Sequence, residues 1–393
     1  MKKILVTGAG GFVGSRVMQQ WAGHYELCTF PKGFLATAGE DAVRQAVLQQ
    51  RPDVILHTAA ISDTGYCADH TEQAYRANVE LPVWLARAAA EIGAKLVAFS
   101  SDQVYAGVEQ SGPLPETIPL KPANVYGQGK LEMEQRVQAL CPGAVLLRAT
   151  WMYDLPGYRL PIRGNLPLNL LRAAQRGESV RFSVWDFRGI TYVRQAVALL
   201  EAALTLPGGV YNFGSENAEN MVLTARQFAE TLGITVDIQE ADWARNLAMD
   251  CSKLRAQGIE ITPKTLMIAE NTPLILPLPM WLAHRGGRDP ALTGVWLAPD
   301  DDPDALLPAL AELPVIAIHF PVFTDGRGYS LARLLRGRHG YRGELRAFGD
   351  VLRDQMYFLR CCGFDSFSLR ADQALEEALT ALDDYAWMPL GQR

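Results

Sequence analysis

A glycine-rich turn near the amino terminus constrains the fold of this chain more than any other feature. An apolar run at residues 4–6 predicts a short buried strand, and a helix is expected to begin near Phe12. Between them stand Gly8, Gly11 and Gly14. In such a turn, glycines allow the tight bend, the approach of backbone N–H groups to a pyrophosphate, and close packing of the helix on the strand. The helix N-terminus adds partial positive charge. The spacing G-x-x-G-x-x-G therefore predicts a dinucleotide site; the alternative is a purely structural turn.

Strands and helices alternate through the first two thirds of the chain. Further strands are predicted at residues 26–30, 53–57, 95–99 and 144–148, with helical stretches between them. This alternation predicts an α/β fold with a Rossmann-like, doubly wound parallel sheet. The second strand lacks the terminal acidic residue that often holds an NAD ribose, and Lys32 follows it. We therefore expect NADP(H) to be preferred and NAD(H) to be an alternative, unless Lys32 is an ordinary loop lysine.

Composition excludes several classes of protein. The chain has 393 residues and a net charge of −6, which argues against general nucleic-acid binding. No run of about twenty apolar residues is present, so no membrane span is expected. The six cysteines are scattered and form no Cys/His ligand pattern, so we expect reduced thiols, a cytoplasmic location and no metal site.

A tyrosine and a lysine are placed four residues apart in a predicted helix at residues 124–140. Tyr126 and Lys130 would share one face of that helix. A nearby ammonium is expected to lower the pKa of a tyrosine from about 10, so that the phenol exchanges a proton with a carbonyl or alcohol oxygen. Ser101 follows a predicted strand, at the end where parallel sheets bind ligands, and can hydrogen-bond the same oxygen. The spacing therefore predicts a catalytic Ser101–Tyr126–Lys130 group; the alternative is a chance surface pair.

These motifs resemble those of extended short-chain dehydrogenase/reductases, and among them the dTDP-4-dehydrorhamnose reductases, over residues 1 to about 270. The motifs that carry the resemblance are Thr7-Gly8-x-x-Gly11-x-x-Gly14, His57-Thr58-Ala59-Ala60, Asn78, Ser101 and Tyr126-x-x-x-Lys130. The resemblance implies an NAD(P)H-dependent reduction of a carbonyl on a nucleotide-sugar-like substrate. In that reaction Ser101 would polarise the substrate oxygen, Tyr126 would be the acid, and Lys130 would bind ribose and tune Tyr126. The expected cofactor contacts are Gly8, Gly11, Phe12, Val13, Gly14, Lys32, Ala59, Ala60, Asn78 and Lys130.

The substrate region departs from the pattern of that subgroup. Its usual Asp-Gln-x-Gly-x-Pro-Thr stretch is Asp-Phe-Arg-Gly-Ile-Thr at residues 186–191. Arg188 is expected either to pair with a diphosphate or to be a loop arginine. Trp151 is expected either to stack on a sugar or base or to be a core residue. A non-catalytic function is the alternative, because similar proteins such as the regulatory subunit of methionine adenosyltransferase bind NADP and act through a partner.

A second α/β domain is predicted beyond residue 273. The expected division is 1–272 for the cofactor domain, with substrate elements mainly in 151–272, and 273–393 for a half-barrel or small open sheet. The second domain resembles an uncharacterised bacterial family associated with sulfite reduction. The motifs that carry this resemblance lie at residues 320–330, 340–347, 349–352, 354–355 and 362–365. It implies a partner in sulfur assimilation, and a homodimer is a further expectation.

Six arginines crowd residues 327–346 of this second domain, where Asp325 and Glu344 are the neighbouring acids. Arg327 follows a predicted strand in a glycine-rich loop before a helix. Backbone N–H groups at a helix start and a planar guanidinium suit the oxygens of sulfate or phosphate. We therefore expect an anion site at Arg327, whereas Arg333, Arg336 and Arg338 are expected to line a solvated helix face.

Overall fold

The computed structural model describes residues 1–156, 160, 164–262, 274–370, 373 and 375–383. The chain divides into two compact units. The N-terminal unit comprises the described residues of Met1–Asp154, Val180–Phe228 and Ile238–Met267. The C-terminal unit comprises those of Leu155–Ser179, Ala229–Asp237 and Ile268–Arg393. The C-terminal unit therefore includes two segments that come from within residues 1–272. The predicted boundary at 272/273 lies outside the described residues.

The N-terminal unit is built on a six-stranded parallel sheet with the strand order β2-β1-β3-β4-β5-β9. Two further pairs of strands, β6 with β8 and β7 with β10, accompany it. The strands of this part of the chain are β1 (Lys3–Thr7), β2 (Glu26–Cys28), β3 (Val54–His57), β4 (Lys95–Ser101), β5 (Val145–Ala149), β6 (Trp151–Tyr153), β7 (Ser179–Arg188), β8 (Ile190–Tyr192), β9 (Gly209–Phe213) and β10 (Asp237–Leu247).

Helices cover both faces of this sheet, as the alternation of elements predicts. The α-helices up to residue 255 are α1 (Phe12–Gln20), α2 (Phe34–Thr37), α3 (Glu40–Gln50), α4 (Thr64–Asp69), α5 (Thr71–Tyr75), α6 (Leu81–Ile92), α7 (Val125–Leu140), α8 (Leu166–Arg176), α9 (Val193–Ala203), α10 (Met221–Leu232) and α11 (Ser252–Arg255). Apolar residues of α3, α6 and α7 form one core against the sheet, and those of α1 and α9 form another. The predicted doubly wound α/β fold is confirmed.

A π-helical turn, Arg76–Glu80, joins α5 to α6. The sequence predicts a kink here because Pro82 lacks the N–H that a continuous helix requires. The π-helical turn accommodates the hydrogen bond that Pro82 cannot donate, and Pro82 lies in the first turn of α6. The second strand is shorter than predicted and ends at Cys28, which is the last residue in register with β1.

The C-terminal unit contains a five-stranded parallel sheet whose strands follow one another in chain order. Its strands are β11 (Leu274–Pro277), β12 (Thr293–Leu297), β13 (Val315–Phe320), β14 (Glu344–Gly349) and β15 (Ser366–Ser368). The helices that follow residue 274 are α12 (Leu278–His284), α13 (Arg327–Arg333), α14 (Met356–Cys361) and α15 (Leu375–Thr380). A second parallel α/β unit is therefore confirmed. Ile275 of β11 donates a hydrogen bond to the carbonyl of Pro156 at 2.7 Å, which ties the segment 155–156 to this unit.

Shorter helical segments complete the described chain. The 3-10 helices are Asp102–Tyr105, Arg285–Gly287, Pro290–Leu292, Pro303–Glu312, Arg353–Gln355 and Ala381–Asp383, and a second π-helical turn is Leu334–Arg338. Within the residues that the structure describes, no helix combines the length and the apolar character needed to cross a bilayer.

Candidate active site

The glycine turn between β1 and α1 leaves no space for side chains at two of its positions. Gly8 has a φ of +70°, and a Cβ there would lie 2.7 Å from the backbone nitrogen of Ala59. A Cβ at Gly14 would lie 2.1 Å from the carbonyl oxygen of Gly8. The Gly11 N–H donates to that same oxygen at 2.7 Å. The turn thus presses the start of α1, at Phe12 and Val13, against the end of β1, which is the arrangement that suits a pyrophosphate.

The ends of β1 and β3 are joined beside this turn. The Thr7 hydroxyl hydrogen-bonds His57 Nδ1 at 2.7 Å, and the Thr58 hydroxyl donates to the Thr7 carbonyl at 2.7 Å. Burial, with a smaller contribution from Lys130, lowers the pKa of His57 to about 3, so this imidazole is neutral. The small residues Ala59 and Ala60 follow, so the backbone at the end of β3 is open to a flat ligand.

Ser101, Tyr126 and Lys130 come together at the carboxyl end of β4. Ser101 is the last residue of that strand. Asn124 caps α7 by accepting the N–H of Gly127 at 2.8 Å, and a Cβ at Gly127 would lie 2.2 Å from the carbonyl oxygen of Gln103. Because α7 starts so close to the segment after β4, the Tyr126 side chain lies near enough to the Ser101 side chain for the two hydroxyl groups to influence each other. The Ser101 hydroxyl itself donates to Asp102 at 3.2 Å. The predicted trio therefore forms one cluster, as the spacing requires.

The electrostatics of this cluster correct one expectation. Lys130 was expected to lower the pKa of Tyr126, but burial raises that pKa well above its usual range, and the neighbouring Ser101 hydroxyl only partly offsets the effect. Lys130 Nζ lies 5.8 Å from the centre of the tyrosine ring and donates to the Phe99 carbonyl at 2.9 Å. Burial lowers the pKa of Lys130 to about 8, opposed by Glu134. In this state Tyr126 is a protonated phenol.

A buried acid next to Lys130, Glu134, is not part of any motif identified in the sequence. Glu134 is one helical turn beyond Lys130 and is paired with Arg148 of β5 at 2.7 Å, both side chains being almost fully buried. Glu134 also accepts the Ser100 hydroxyl at 2.5 Å. The spacing of four residues after Lys130 is the local signal that could have indicated Glu134, whereas its pairing with Arg148 depends on the sheet.

The two predicted substrate residues meet beside Ser101. Arg188 lies at the end of β7, and its Nη2 donates to a carboxylate oxygen of Asp102 at 2.8 Å. Its guanidinium carbon lies 5.1 Å from the centre of the Trp151 ring, and Trp151 is only partly buried. Arg188 is therefore neither a loop residue nor an unpaired cation, because Asp102 already neutralises it. Its Nε remains buried without a partner.

A second arginine in this region was not predicted. Arg245 of β10 donates from Nε to Asp186 of β7 at 2.9 Å, and it also interacts electrostatically with Asp102. Its side chain is 38% exposed, in contrast to the buried Asp186. Because 59 residues separate Arg245 from Asp186 and no motif contains it, the sequence alone offers no signal for this contact.

The remaining predicted cofactor residues have different surroundings. Asn78 lies in the π-helical turn, and its side-chain amide binds both the carbonyl and the N–H of Ile61 at 2.9 and 3.2 Å. Asn78 therefore holds the segment after Ala60 in place. Lys32 is exposed in the turn that follows β2.

The predicted anion site at Arg327 is not supported by its contacts. Its Nη2 donates to Asp325 at 2.7 Å, its Nε donates to the same residue at 3.0 Å, and its Nη1 donates to Asp300. Arg327 also begins a helix of only seven residues. An anion would have to displace two carboxylates, so the guanidinium that seemed available from the sequence is already neutralised.

The doubly wound sheet and the glycine turn give the N-terminal unit a Rossmann-like fold, which solved structures of a reductase and an epimerase share. Residues 1–262 match the model of the RmlD substrate binding domain, and the chain belongs to this family. This confirms the predicted resemblance to dTDP-4-dehydrorhamnose reductases, whereas the short-chain dehydrogenase/reductase label names a broader group. Residues 294–388 match a bacterial family of unknown function, DUF934.

Three similar proteins show the extent of the similarity. A spore coat polysaccharide biosynthesis protein, SpsK, of Bacillus subtilis is 26% identical over 61% of this chain and 82% of its own length. A dTDP-4-dehydrorhamnose reductase of Mycolicibacterium smegmatis is 36% identical over 39% of this chain and 46% of its own length. The methionine adenosyltransferase 2 subunit beta of Bos taurus is 27% identical over 69% of this chain and 87% of its own length.

A solved structure of a similar protein supports the fold. The dTDP-4-dehydrorhamnose reductase of Bacillus anthracis, in complex with NADP, superposes with a TM-score of 0.60 at 22% identity. The match covers 67% of this chain and 94% of that protein.

Proposed function

We propose that the N-terminal unit reduces a carbonyl group on a nucleotide sugar with NADPH as the hydride donor. The observation that carries this proposal is that the Ser101 and Tyr126 side chains come together at the carboxyl end of β4, with Lys130 one helical turn beyond Tyr126. The names of the similar reductases support the substrate class. The glycine turn, whose backbone has no room for side chains at positions 8 and 14, fits a dinucleotide.

The protonation state of Tyr126 suits the direction of reduction. When bound, the reduced nicotinamide supplies the hydride that reaches the carbonyl carbon. Tyr126 donates its phenolic proton to the carbonyl oxygen, and its raised pKa keeps that proton available at neutral pH. The Ser101 hydroxyl donates a hydrogen bond to the same oxygen as negative charge develops there. Lys130, whose pKa of about 8 leaves it mostly protonated at neutral pH, would hold the cofactor ribose and would return a proton to Tyr126 after the reaction.

The substrate diphosphate is assigned to the arginines near Asp102. Arg188 and Arg245 each have one carboxylate partner, and Arg245 is the more exposed of the two. An incoming diphosphate can share these guanidinium groups, since each offers several N–H donors in one plane. Trp151, beside Arg188, offers an aromatic face to a sugar or base.

NADPH is proposed over NADH because of Lys32, in the exposed turn after β2, and the absence of an acid at the end of that strand. A cytoplasmic location and a homodimer remain proposals from the sequence. The link of the C-terminal unit to sulfur assimilation is likewise a proposal, supported by the resemblance of that unit to a family associated with sulfite reduction.

A second candidate function is that of an NADP-binding regulatory protein without turnover. The similarity to the methionine adenosyltransferase 2 subunit beta, which extends over 294 aligned residues, favours keeping this candidate.

The test is a turnover assay on the full chain with NADPH and dTDP-4-dehydrorhamnose. We expect loss of the reduced-nicotinamide absorbance in a one-to-one ratio with the reduced sugar. The matched control is dTDP-rhamnose, which has the same nucleotide but no keto group on the sugar and should consume no NADPH. Saturable NADPH binding without turnover on any nucleotide 4-keto sugar would reject the enzyme and favour the regulatory protein.

A further inference from the structure

Three aromatic rings meet at the carboxyl end of the C-terminal sheet. They belong to Trp296 of β12, His319 of β13 and Phe348 of β14. The ring centres of Trp296 and His319 are 5.4 Å apart, and each lies 4.9 Å from that of Phe348. Phe348 is in register with His319, and Trp296 is in register with Ala317, two residues before His319. Because side chains alternate along a strand, all three rings project from the same face of the sheet.

Two polar atoms in this cluster have no hydrogen-bond partner. The indole Nε1 of Trp296 and the Nδ1 of His319 are both buried and unpaired. Trp296 is 3% exposed and His319 is 5% exposed. Buried polar side chains in native proteins nearly always have hydrogen-bond partners. Two neighbouring rings that each carry a buried nitrogen without a partner therefore require an explanation. A ligand that accepts hydrogen bonds would satisfy both atoms, since the indole N–H can only donate and a neutral imidazole can donate from Nδ1.

Positive charge is concentrated at this end of the sheet. Arg172 and Arg176 are one turn apart on α8, and both are exposed. Arg176 donates to the carbonyl of Pro321, two residues after His319. Both arginines act on His319 electrostatically and, together with burial as the larger cause, lower its pKa to about 4.

The acidic residues nearby are already engaged. Asp325 also acts on His319, but it accepts two donors from the side chain of Arg327. Asp350 accepts the N–H of Phe323 and a donor of Arg370, each at 2.9 Å. Arg176 also has an ion pair with the exposed Glu178, at 3.8 Å. Two arginines and one carboxylate act on His319 electrostatically, so the net charge acting on it is positive.

We propose that the carboxyl end of the C-terminal sheet binds a small oxyanion, held by Trp296 Nε1, His319 Nδ1 and the guanidinium groups of Arg172 and Arg176. Ligands of open parallel sheets bind at this end of the strands. Guanidinium groups bind sulfate and phosphate oxygens through parallel N–H donors. Trp296 Nε1 and His319 Nδ1 are inaccessible to water. The anion therefore reaches them when the Arg176 side chain releases the Pro321 carbonyl and turns toward the anion. The site is distinct from Arg327, whose donors face carboxylates.

The test uses the full chain with 15N-labelled indole groups, of which the sequence has eight. Inorganic sulfate and, in a second series, inorganic phosphate are titrated at constant ionic strength against chloride. We expect a saturable downfield shift of the Trp296 indole N–H, identified with Trp296→Phe, and no shift for the exposed Trp185. Arg172→Gln should weaken binding at least tenfold. Arg327→Ala is the matched control and should leave the binding curve unchanged.

A second measurement keeps the proposal falsifiable if Trp296→Phe does not fold. Sulfate should raise the melting temperature of the unmodified chain and of Arg327→Ala, and it should raise that of Arg172→Gln much less. A Trp296 signal that does not move, a shift that follows ionic strength, or an equal response in Arg172→Gln would overturn the proposal. A response to phosphate but not sulfate, or the reverse, would retain the site and identify which oxyanion it selects.

Discussion

The carboxyl ends of the two parallel sheets differ in how their buried polar groups are satisfied. In the N-terminal unit, Asp102 has Arg188 as a partner, Lys130 has the Phe99 carbonyl, and Glu134 has Arg148, whereas Arg188 Nε and His57 Nε2 are single atoms buried without a partner. In the C-terminal unit, Trp296 and His319 each leave a buried nitrogen unpaired. The first end is a set of side chains held in fixed positions by one another, as catalysis requires. The second end brings two unpaired nitrogens together in one cluster of aromatic rings, and the proposed anion site rests on that cluster.

The largest expected effect comes from replacing a glycine in the turn after β1, compared with replacing one in the loop after β13. A Cβ at Gly14 would lie 2.1 Å from the Gly8 carbonyl oxygen, so Gly14→Ala must displace the turn. We expect this variant to lose NADPH binding and to have a free energy of unfolding lowered by about 2 kcal/mol or more. Gly10→Ala is the matched control, since a Cβ there has no neighbour within 4 Å. Gly326→Ala, in the loop after β13, is equally unhindered. Calorimetric titration measures the NADPH affinity, and urea unfolding measures the free energy of unfolding. If Gly14→Ala and Gly10→Ala had the same affinity and stability, the crowding at Gly14 would not be essential to the turn.

The carboxylates of the two units should also respond differently to neutralisation. Glu134→Gln leaves Arg148 buried without a counter-charge, and we expect a loss of about 3–5 kcal/mol in the free energy of unfolding. Asp300→Asn removes an exposed partner of Arg327 and should leave the melting temperature unchanged. Urea unfolding of both variants measures the contrast. A similar small loss in both would show that the Glu134–Arg148 pair is not buried as the structure has it.

The buried charge of Lys130 should lower the free energy of unfolding, although the same side chain is needed for turnover. Its pKa is lowered from 10.5 to about 8, so the folded state binds fewer protons than the unfolded state between these values. The penalty is fully present below pH 8, at about 3 kcal/mol, and disappears as the pH rises through 10.5. Lys130→Met should therefore stabilise the chain at pH 7 by up to that amount and gain nothing near pH 10.5, while turnover is lost. Stability that is equal to the unmodified chain at both pH values would contradict this account.

The sequence predicts features that depend on local spacing and misses those that depend on long-range pairing. The glycine turn and the Tyr126–Lys130 pair are set by neighbours within a few residues, so both could be predicted. The partner of Arg188, Asp102, is 86 residues away, and no spacing rule indicates it. The pKa of Tyr126 was expected to fall because the lysine was visible in the sequence, whereas the burial that raises it was not.

The C-terminal unit shows the same limit. Its parallel strands follow from alternating strands and helices, but the sequence could not show that Asp300 and Asp325 neutralise Arg327. The described residues of Leu155–Ser179 belong to this unit although they lie within the predicted first domain, and Pro156 accepts a hydrogen bond from Ile275 of β11. The division at 272/273 therefore remains a prediction about the chain, tested by whether the piece 273–393 melts cooperatively without that segment.

The smallest expected effect concerns cofactor choice. Lys32 is exposed, so its attraction for a ribose 2′-phosphate is screened by solvent. Lys32→Ala should weaken NADPH binding severalfold, on the order of 1 kcal/mol, and leave NADH binding unchanged. Titrating both cofactors against both proteins measures the difference. Tighter binding of NADH than NADPH by the unmodified chain would reject the NADPH preference.

The most direct test of the catalytic account separates cofactor binding from turnover in Tyr126→Phe. The variant keeps the ring that packs in the site and loses the phenolic proton that the reaction needs. NADPH affinity, followed by nicotinamide fluorescence, should remain within about twofold of the unmodified chain, and turnover of dTDP-4-dehydrorhamnose should fall by about 10²–10⁴-fold. Turnover in Tyr126→Phe that stays within about tenfold of the unmodified chain, with binding intact, would contradict the role of Tyr126 as the acid.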